Sequence, residues 1–142
     1  MDEKVLLIDD EQDFLQMLAD RMEHRGLKVA TADSPKTVLE EINLEDFDAV
    51  VLDLMMPDMD GLELLPVLLE RNPELQVILL TGHASIEKGV QAMKLGALDF
   101  LEKPVDFKVL CEKIREAKQH KLLLIERRHE AEIKDIMASK PW

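Results

Sequence analysis

Five short, β-rich apolar runs recur along this chain with stretches of helical length between them: VLLID at 5–9, KVATA at 28–32, DAVVLD at 48–53, QVILLT at 76–81 and the weaker DFLEK at 99–103. Runs that are continuous rather than alternating read as strands covered on both faces, which is how a parallel sheet between two helical layers is written. No other feature narrows the fold as much. A parallel strand needs a crossover to its neighbour, so the intervening segments must supply helices.

They do. Phe14, Leu15, Leu18 and Met22 keep one face of a helix between Glu11 and Arg25, and Gly26 offers its stop. Ser34 stands as N-cap before Pro35 at the first helical position, with Val38, Leu39 and Ile42 turned inward. Gly61 to Arg71 carries Leu62, Leu65, Leu68 and Leu69, and Pro66 within it predicts a late start or a bend. Ser85 to Leu95 presents Ile86, Val90 and Met93 to the core and ends at Gly96. The expected fold is α/β, a doubly wound five-stranded parallel sheet.

In such a sheet ligands sit outside the carboxyl ends of the strands, near the point where strand order reverses. The first run ends in Asp9-Asp10, the third in Asp53, the fourth in Thr81 and the fifth in Lys103-Pro104. Taken alone, adjacent aspartates at a strand end are more often a solvated turn than a metal site, and Asp53 in its loop reads likewise as turn chemistry. Together they bring three carboxylates, a hydroxyl and an ammonium to one sheet edge. Clustered carboxylates repel unless a cation joins them, and hard oxygen ligands suit Mg²⁺, with Mn²⁺ as an alternative occupant. A carboxylate beside such an ion can act as nucleophile in phosphoryl transfer, with Lys103 and Thr81 holding phosphoryl oxygens. The constellation reads as an aspartyl-phosphate site.

From about Lys4 to about Lys118 the chain resembles the receiver domain of two-component response regulators. The resemblance rests on Ile8-Asp-Asp-Glu11, Leu52-Asp-Leu-Met-Met-Pro-Asp-Met-Asp-Gly61, Leu80-Thr-Gly-His83 and Gly96-Ala-Leu-Asp-Phe-Leu-Glu-Lys-Pro104. The last two motifs are similar in wording to receivers of nitrogen-regulation-type and FixJ-type transcription factors. It implies a flavodoxin-like (βα)5 fold in which a partner histidine kinase phosphorylates Asp53. It further implies that Asp10 binds Mg²⁺ directly and Asp9 through water, with the Met55 main-chain carbonyl as a further ligand. Thr81 and Phe100 would move as the switch pair, Lys103 would pair with the phosphoryl group, and the Lys103-Pro104 bond would be cis. In receivers the residues at the positions of Met55 and His83 flank the path of the hydrolytic water, and the resemblance leaves the direction of the His83 effect open. Met55 cannot orient that water, so an aspartyl phosphate that is not unusually short-lived is expected. Phe100 stands where tyrosine is more frequent in the family, so any inward rotation can be buried without a hydroxyl to satisfy.

Composition excludes several other readings. A formal charge of −12, from 30 acidic and 18 basic residues, argues against direct grip on nucleic acid. The single cysteine, Cys111, allows no internal disulfide and reads as a packing residue. No secretory leader or spanning segment is legible, so the expected location is cytoplasmic. Asp58 and Asp60 are assigned to the loop, with Asp60-Gly61 capping the third helix. The side chains of Met55, Met56 and Met59 are assigned to adaptable packing around that loop, and His24, His120 and His129 to the surface.

Residues 1–120 are read as the receiver and 121–142 as a C-terminal helical extension. In the latter Leu122, Ile125, Ile133, Ile136 and Met137 keep a partial stripe, and Glu130 with Lys134 forms an i,i+4 pair. The fifth helix is expected to run on until Ser139 and Pro141, or to fold back over its own domain. As a dimerising or docking helix it would have Trp142 as a terminal anchor; otherwise it leads toward an output domain outside this chain. The resemblance also leaves open a homodimer through the fourth-helix, fifth-strand and fifth-helix face. Substrate turnover is not expected. An aspartyl-phosphate phosphatase would carry Asp-x-Asp at the nucleophile, whereas Asp53 is followed by Leu54-Met55. A phosphorylation-independent interaction module on the same fold is the remaining alternative.

Overall fold

The computed structural model describes residues 2–56, 60–82 and 86–139. The elements run β1 (Lys4–Ile8), α1 (Gln12–His24), β2 (Lys28–Ala32), α2 (Pro35–Glu41), a 3-10 turn (Leu44–Asp46) and β3 (Ala49–Asp53). They continue as α3 (Gly61–Arg71), β4 (Val77–Thr81), α4 (Ile86–Lys94), β5 (Asp99–Glu102) and α5 (Phe107–Ala138). The strands form one parallel sheet in the order β2-β1-β3-β4-β5. The strands lie within one residue of the five apolar runs.

Side-chain alternation along these strands feeds two cores. Val5, Leu7, Val51, Ile78 and Leu80 pack on one face against Leu15, Leu18 and Met22 of α1 and Leu110 and Ile114 of α5. Leu6, Ile8, Val50, Leu52 and Leu79 pack on the other against Val38 of α2, Leu64, Leu65 and Leu68 of α3 and Ala92 of α4. The central strands β1 and β3 are covered on both sides, so their apolar runs are unbroken. Each fully buried leucine here contributes about 1.5–3 kcal/mol through area removed from water.

Local signals set the element ends. The Ser34 side chain accepts from Thr37 N, and Asp60 Oδ1 accepts from Leu62 N at 2.7 Å, so both predicted caps are made. Gly26 (φ 88°) and Gly96 (φ 104°) take the left-handed conformation that closes α1 and α4. Pro66 neither delays nor interrupts α3, which begins at Gly61. It lies on the exposed face, where water can satisfy the Leu62 carbonyl that its missing N–H leaves unpaired.

In α4 the sequence expectation is overturned. Ile86, Val90 and Met93 are not turned to the core: they are 90%, 47% and 49% exposed, and Ala92 is the buried residue of that helix. α4 packs through its small residues, and its apolar stripe is left facing outward. Ser85, placed at the start of this helix by the sequence, lies outside the described residues.

α5 is one helix of 32 residues, about 48 Å long, and it ends at Ser139 without folding back. Its middle turns are tied to the base of the sheet. Lys118 pairs with Asp2 at 3.1 Å, His120 Nδ1 is 3.0 Å from Gln76 Oε1, and Lys121 donates to the Phe47 carbonyl at 2.7 Å. Arg128 pairs with Glu74 of the α3–β4 connection. From Glu126 to Ser139 every residue is exposed. The i,i+4 ion pair of this segment is Arg128 with Glu132 at 3.9 Å rather than Glu130 with Lys134. Pro141 and Trp142 lie outside the described residues, and among the described residues no helix is long and apolar enough to cross a membrane.

Candidate functional site

From β1 the chain crosses outward to β2, then returns past β1 to β3, so the strand order reverses between β1 and β3. Crossovers leave in opposite directions there and open a crevice at the carboxyl ends. Asp9 follows the last residue of β1 and Asp53 is the last residue of β3. Carboxylate oxygens of Asp9, Asp10 and Asp53 all lie within 4.8 Å of one another. Asp9 and Asp53 are buried, at 3% and 4% exposure.

Lys103, one residue past β5, reaches back into this cluster. Its Nζ is 2.9 Å from Asp9 Oδ2, 3.6 Å from Asp53 Oδ1 and 3.9 Å from Glu11 Oε1. The ammonium also sits over the Phe14 ring, 4.2 Å from its centroid. The Lys103-Pro104 peptide is cis. The Lys103 backbone N–H donates to the Thr81 carbonyl at 2.7 Å, which holds the turn against the end of β4. Thr81 itself is fully buried, and Phe100 is half-buried on β5.

The charges do not balance. Burial and the neighbouring Asp9 carboxylate push Asp53 from 3.8 up to about 6, although Lys103 and the Met55 N–H pull the other way. Burial opposes the charge on Lys103, but its hydrogen bond to Asp9 and the surrounding carboxylates outweigh that and raise its pKa. Among the described residues, one ammonium thus faces three aspartates with Glu11 beside them. The donor set is all hard oxygen and under-neutralised, which fits a divalent cation held by Asp9, Asp10 and Asp53. Met56 is buried as expected, but Met55 does not pack around the loop: it is 56% exposed. His83 lies outside the described residues, as do Asp58 and Met59.

The structure therefore gathers Asp9, Asp10, Asp53 and Lys103 at one edge, with Thr81 at the end of the adjoining strand. Three further residues take part that sequence reasoning placed elsewhere. Phe14 reads from its spacing as core, yet it forms the aromatic floor for Lys103. Glu11 carries the third carboxylate within reach of Lys103, and its N–H donates to Asp9 Oδ1 at 2.9 Å. Gly61 lies against the end of β3: a Cβ there would be 2.7 Å from the Asp53 carbonyl oxygen and 2.8 Å from Leu54 Cα. The Asp-Gly pair flags a turn, but only the three-dimensional approach shows that the glycine is there for clearance.

Residues 5–115 match the family model of the response regulator receiver domain. The chain belongs to this family. Among curated relatives, it is 43% identical over 126 residues to the C4-dicarboxylate transport transcriptional regulatory protein DctD of Pseudomonas aeruginosa, covering 88% of this chain and 27% of that protein. It is 35% identical over 116 residues to the transcriptional regulatory protein ZraR of Escherichia coli K12, covering 82% of this chain and 26% of that protein. The receiver thus spans about a quarter of the length of these regulators. A solved receiver domain protein from Clostridium thermocellum superposes with a TM-score of 0.78 at 36% identity, covering 86% of this chain and 98% of that one. Receivers of this family are signalling domains rather than substrate-turnover enzymes.

Proposed function

We propose that this receiver accepts a phosphoryl group on Asp53 from the phosphohistidine of a partner histidine kinase and passes the signal on through protein contacts. The observation that carries this reading is Lys103 set among the carboxylates, 2.9 Å from Asp9 and 3.6 Å from Asp53. An Asp53 oxygen attacks phosphorus, a P–O bond forms, and the P–N bond to the kinase histidine breaks with the electron pair leaving on the imidazole. Asp53 must be ionised to attack; with a pKa of about 6 it is mostly so at neutral pH.

Lys103 has its positive charge already on the spot where negative charge arrives, so it needs little rearrangement to leave Asp9 for a phosphoryl oxygen. Thr81 stands at the neighbouring strand end to donate its hydroxyl, and Phe100 follows it as the second switch residue. When bound by Asp9, Asp10, Asp53 and the Met55 carbonyl, Mg²⁺ or Mn²⁺ would supply neutralisation of the carboxylates and of the incoming phosphoryl group. Met55, exposed and apolar, offers no group to orient a hydrolytic water; His83 is the other residue assigned to that path.

The outward apolar stripe of α4, formed by Ile86, Val90 and Met93 beside β5, supports a contact surface that phosphorylation reshapes. Residues 1–120 act as the receiver, and 121–142 act as the extension toward a dimer partner, a downstream protein or an output domain. The negative charge of the chain leaves direct nucleic-acid binding to such a partner or domain, and cytoplasmic residence follows from the kinase partnership. Intact mass after incubation with a small phosphodonor tests the reading. One phosphoryl addition is expected, lost without divalent metal and lost in Asp53→Asn. Uptake that persists in Asp53→Asn would overturn the assignment, and none in folded, metal-bound protein would favour a phosphorylation-independent interaction module.

A further inference from the structure

α4 meets the sheet through residues almost without side chains. Ala92 is fully buried, and Gly89, one turn earlier on the same face, lies against the Phe100 ring of β5. A Cβ built on Gly89 would be 3.2 Å from Phe100 Cδ1, 3.5 Å from Cε1 and 3.7 Å from Cγ. Gly89 takes no left-handed conformation, so its backbone asks for no glycine. Inside a helix, glycine is unfavourable relative to alanine. What the residue supplies is clearance for the ring.

Phe100 has neighbours on two sides. On the outer side, its ring lines a shallow surface cavity of about 550 Å³ with Ile86, Gly89, Val90 and Met93. On the inner side, Leu79 is its register partner on β4, and Thr81 lies two residues further along that strand on the same face. Staggered rotamers make these separate positions rather than a continuum.

We propose that Gly89 is a positioning residue for the switch: its missing Cβ forms the resting seat of Phe100, and a methyl group there drives the ring off that seat toward Thr81. This rests on the reading of Thr81 and Phe100 as the switch pair. Gly89→Ala then weakens the resting state by crowding one ring, and the balance of conformers moves toward the phosphorylation-ready form. Because alanine also strengthens α4, the effect is opposite to that of a merely loosened helix.

The test uses the full chain labelled with 3-fluorophenylalanine, which places a reporter at Phe14, Phe47, Phe100 and Phe107; Phe100→Leu assigns the signal. Fluorine spectra are recorded without phosphodonor for the wild type, Gly89→Ala and the exposed-face control Glu87→Ala. Rates of metal-dependent phosphoryl uptake are measured by intact mass. The expected result is a displaced Phe100 resonance in Gly89→Ala but not in Glu87→Ala, with uptake faster by about threefold to tenfold. An unmoved resonance overturns the seat, and a moved resonance with an unchanged rate overturns its coupling to the switch. Failure of the wild type to take up phosphoryl refutes the reading of Asp53 separately, and the resonance alone then decides the seat.

Discussion

Replacing Asp53 by asparagine should stabilise the metal-free receiver at neutral pH, although it removes the residue at the centre of the site. Asp53 ionises near 3.8 when unfolded and near 6 in the folded protein, chiefly because it is buried and then because Asp9 is beside it. Between those values the folded state holds more protons than the unfolded one, so stability falls as pH rises through that window. Above it the full penalty stands. A shift from 3.8 to about 6 corresponds to about 3 kcal/mol at pH 7.5. At pH 5, inside the window, the same pair of values leaves about half of that penalty. The attraction of Lys103 is already contained in the shift. Urea unfolding followed by far-ultraviolet circular dichroism, in the presence of a chelator, should show Asp53→Asn gaining about 3 kcal/mol at pH 7.5 and about half that at pH 5. An equal gain at both pH values, or a loss at pH 7.5, would refute burial-driven charge frustration as the property of this site.

Divalent metal should reverse that ordering: Mg²⁺ raises the melting temperature of the wild type with metal concentration, and Asp9→Asn and Asp53→Asn lose most of the rise. Lys103→Met should push Asp53 further above about 6, because the cation that opposes Asp9 is gone, and slow phosphoryl uptake by at least tenfold. An unchanged pH–rate profile would remove Lys103 from the site. Gly61→Ala should cost about 2 kcal/mol or more by thermal unfolding, since its Cβ meets the β3 backbone rather than a flexible side chain. Asp60→Ala should cost about 1 kcal/mol through the lost cap on Leu62 N, and a neutral result would show that Gly61 alone places the start of α3.

The strands were legible because a strand buried on both faces has to be apolar throughout, and the sheet edge was legible because polar residues end four of those runs. Their meeting followed from the class of fold. Where a residue serves two partners, sequence pattern could not separate them. Phe14 satisfies the apolar face of α1 and at the same time lies under Lys103, so periodicity saw only the first role. The stripe of Ile86, Val90 and Met93 is a helical signal, but periodicity carries no information on which side of the helix the sheet lies. Small residues decided that, because Gly89 and Ala92 allow α4 to approach Phe100 and the sheet closely.

The sequence by itself determined the kinds and order of the elements, their caps, and which polar side chains stand at strand ends, since these depend on contacts within a few residues. Tertiary structure decided the balance of charge at Asp53, the clearances at Gly61 and Gly89, and the tethering of α5 through Lys118, His120, Lys121 and Arg128. Each of these depends on distances between residues far apart in the chain. Such distances are set only once both cores have packed.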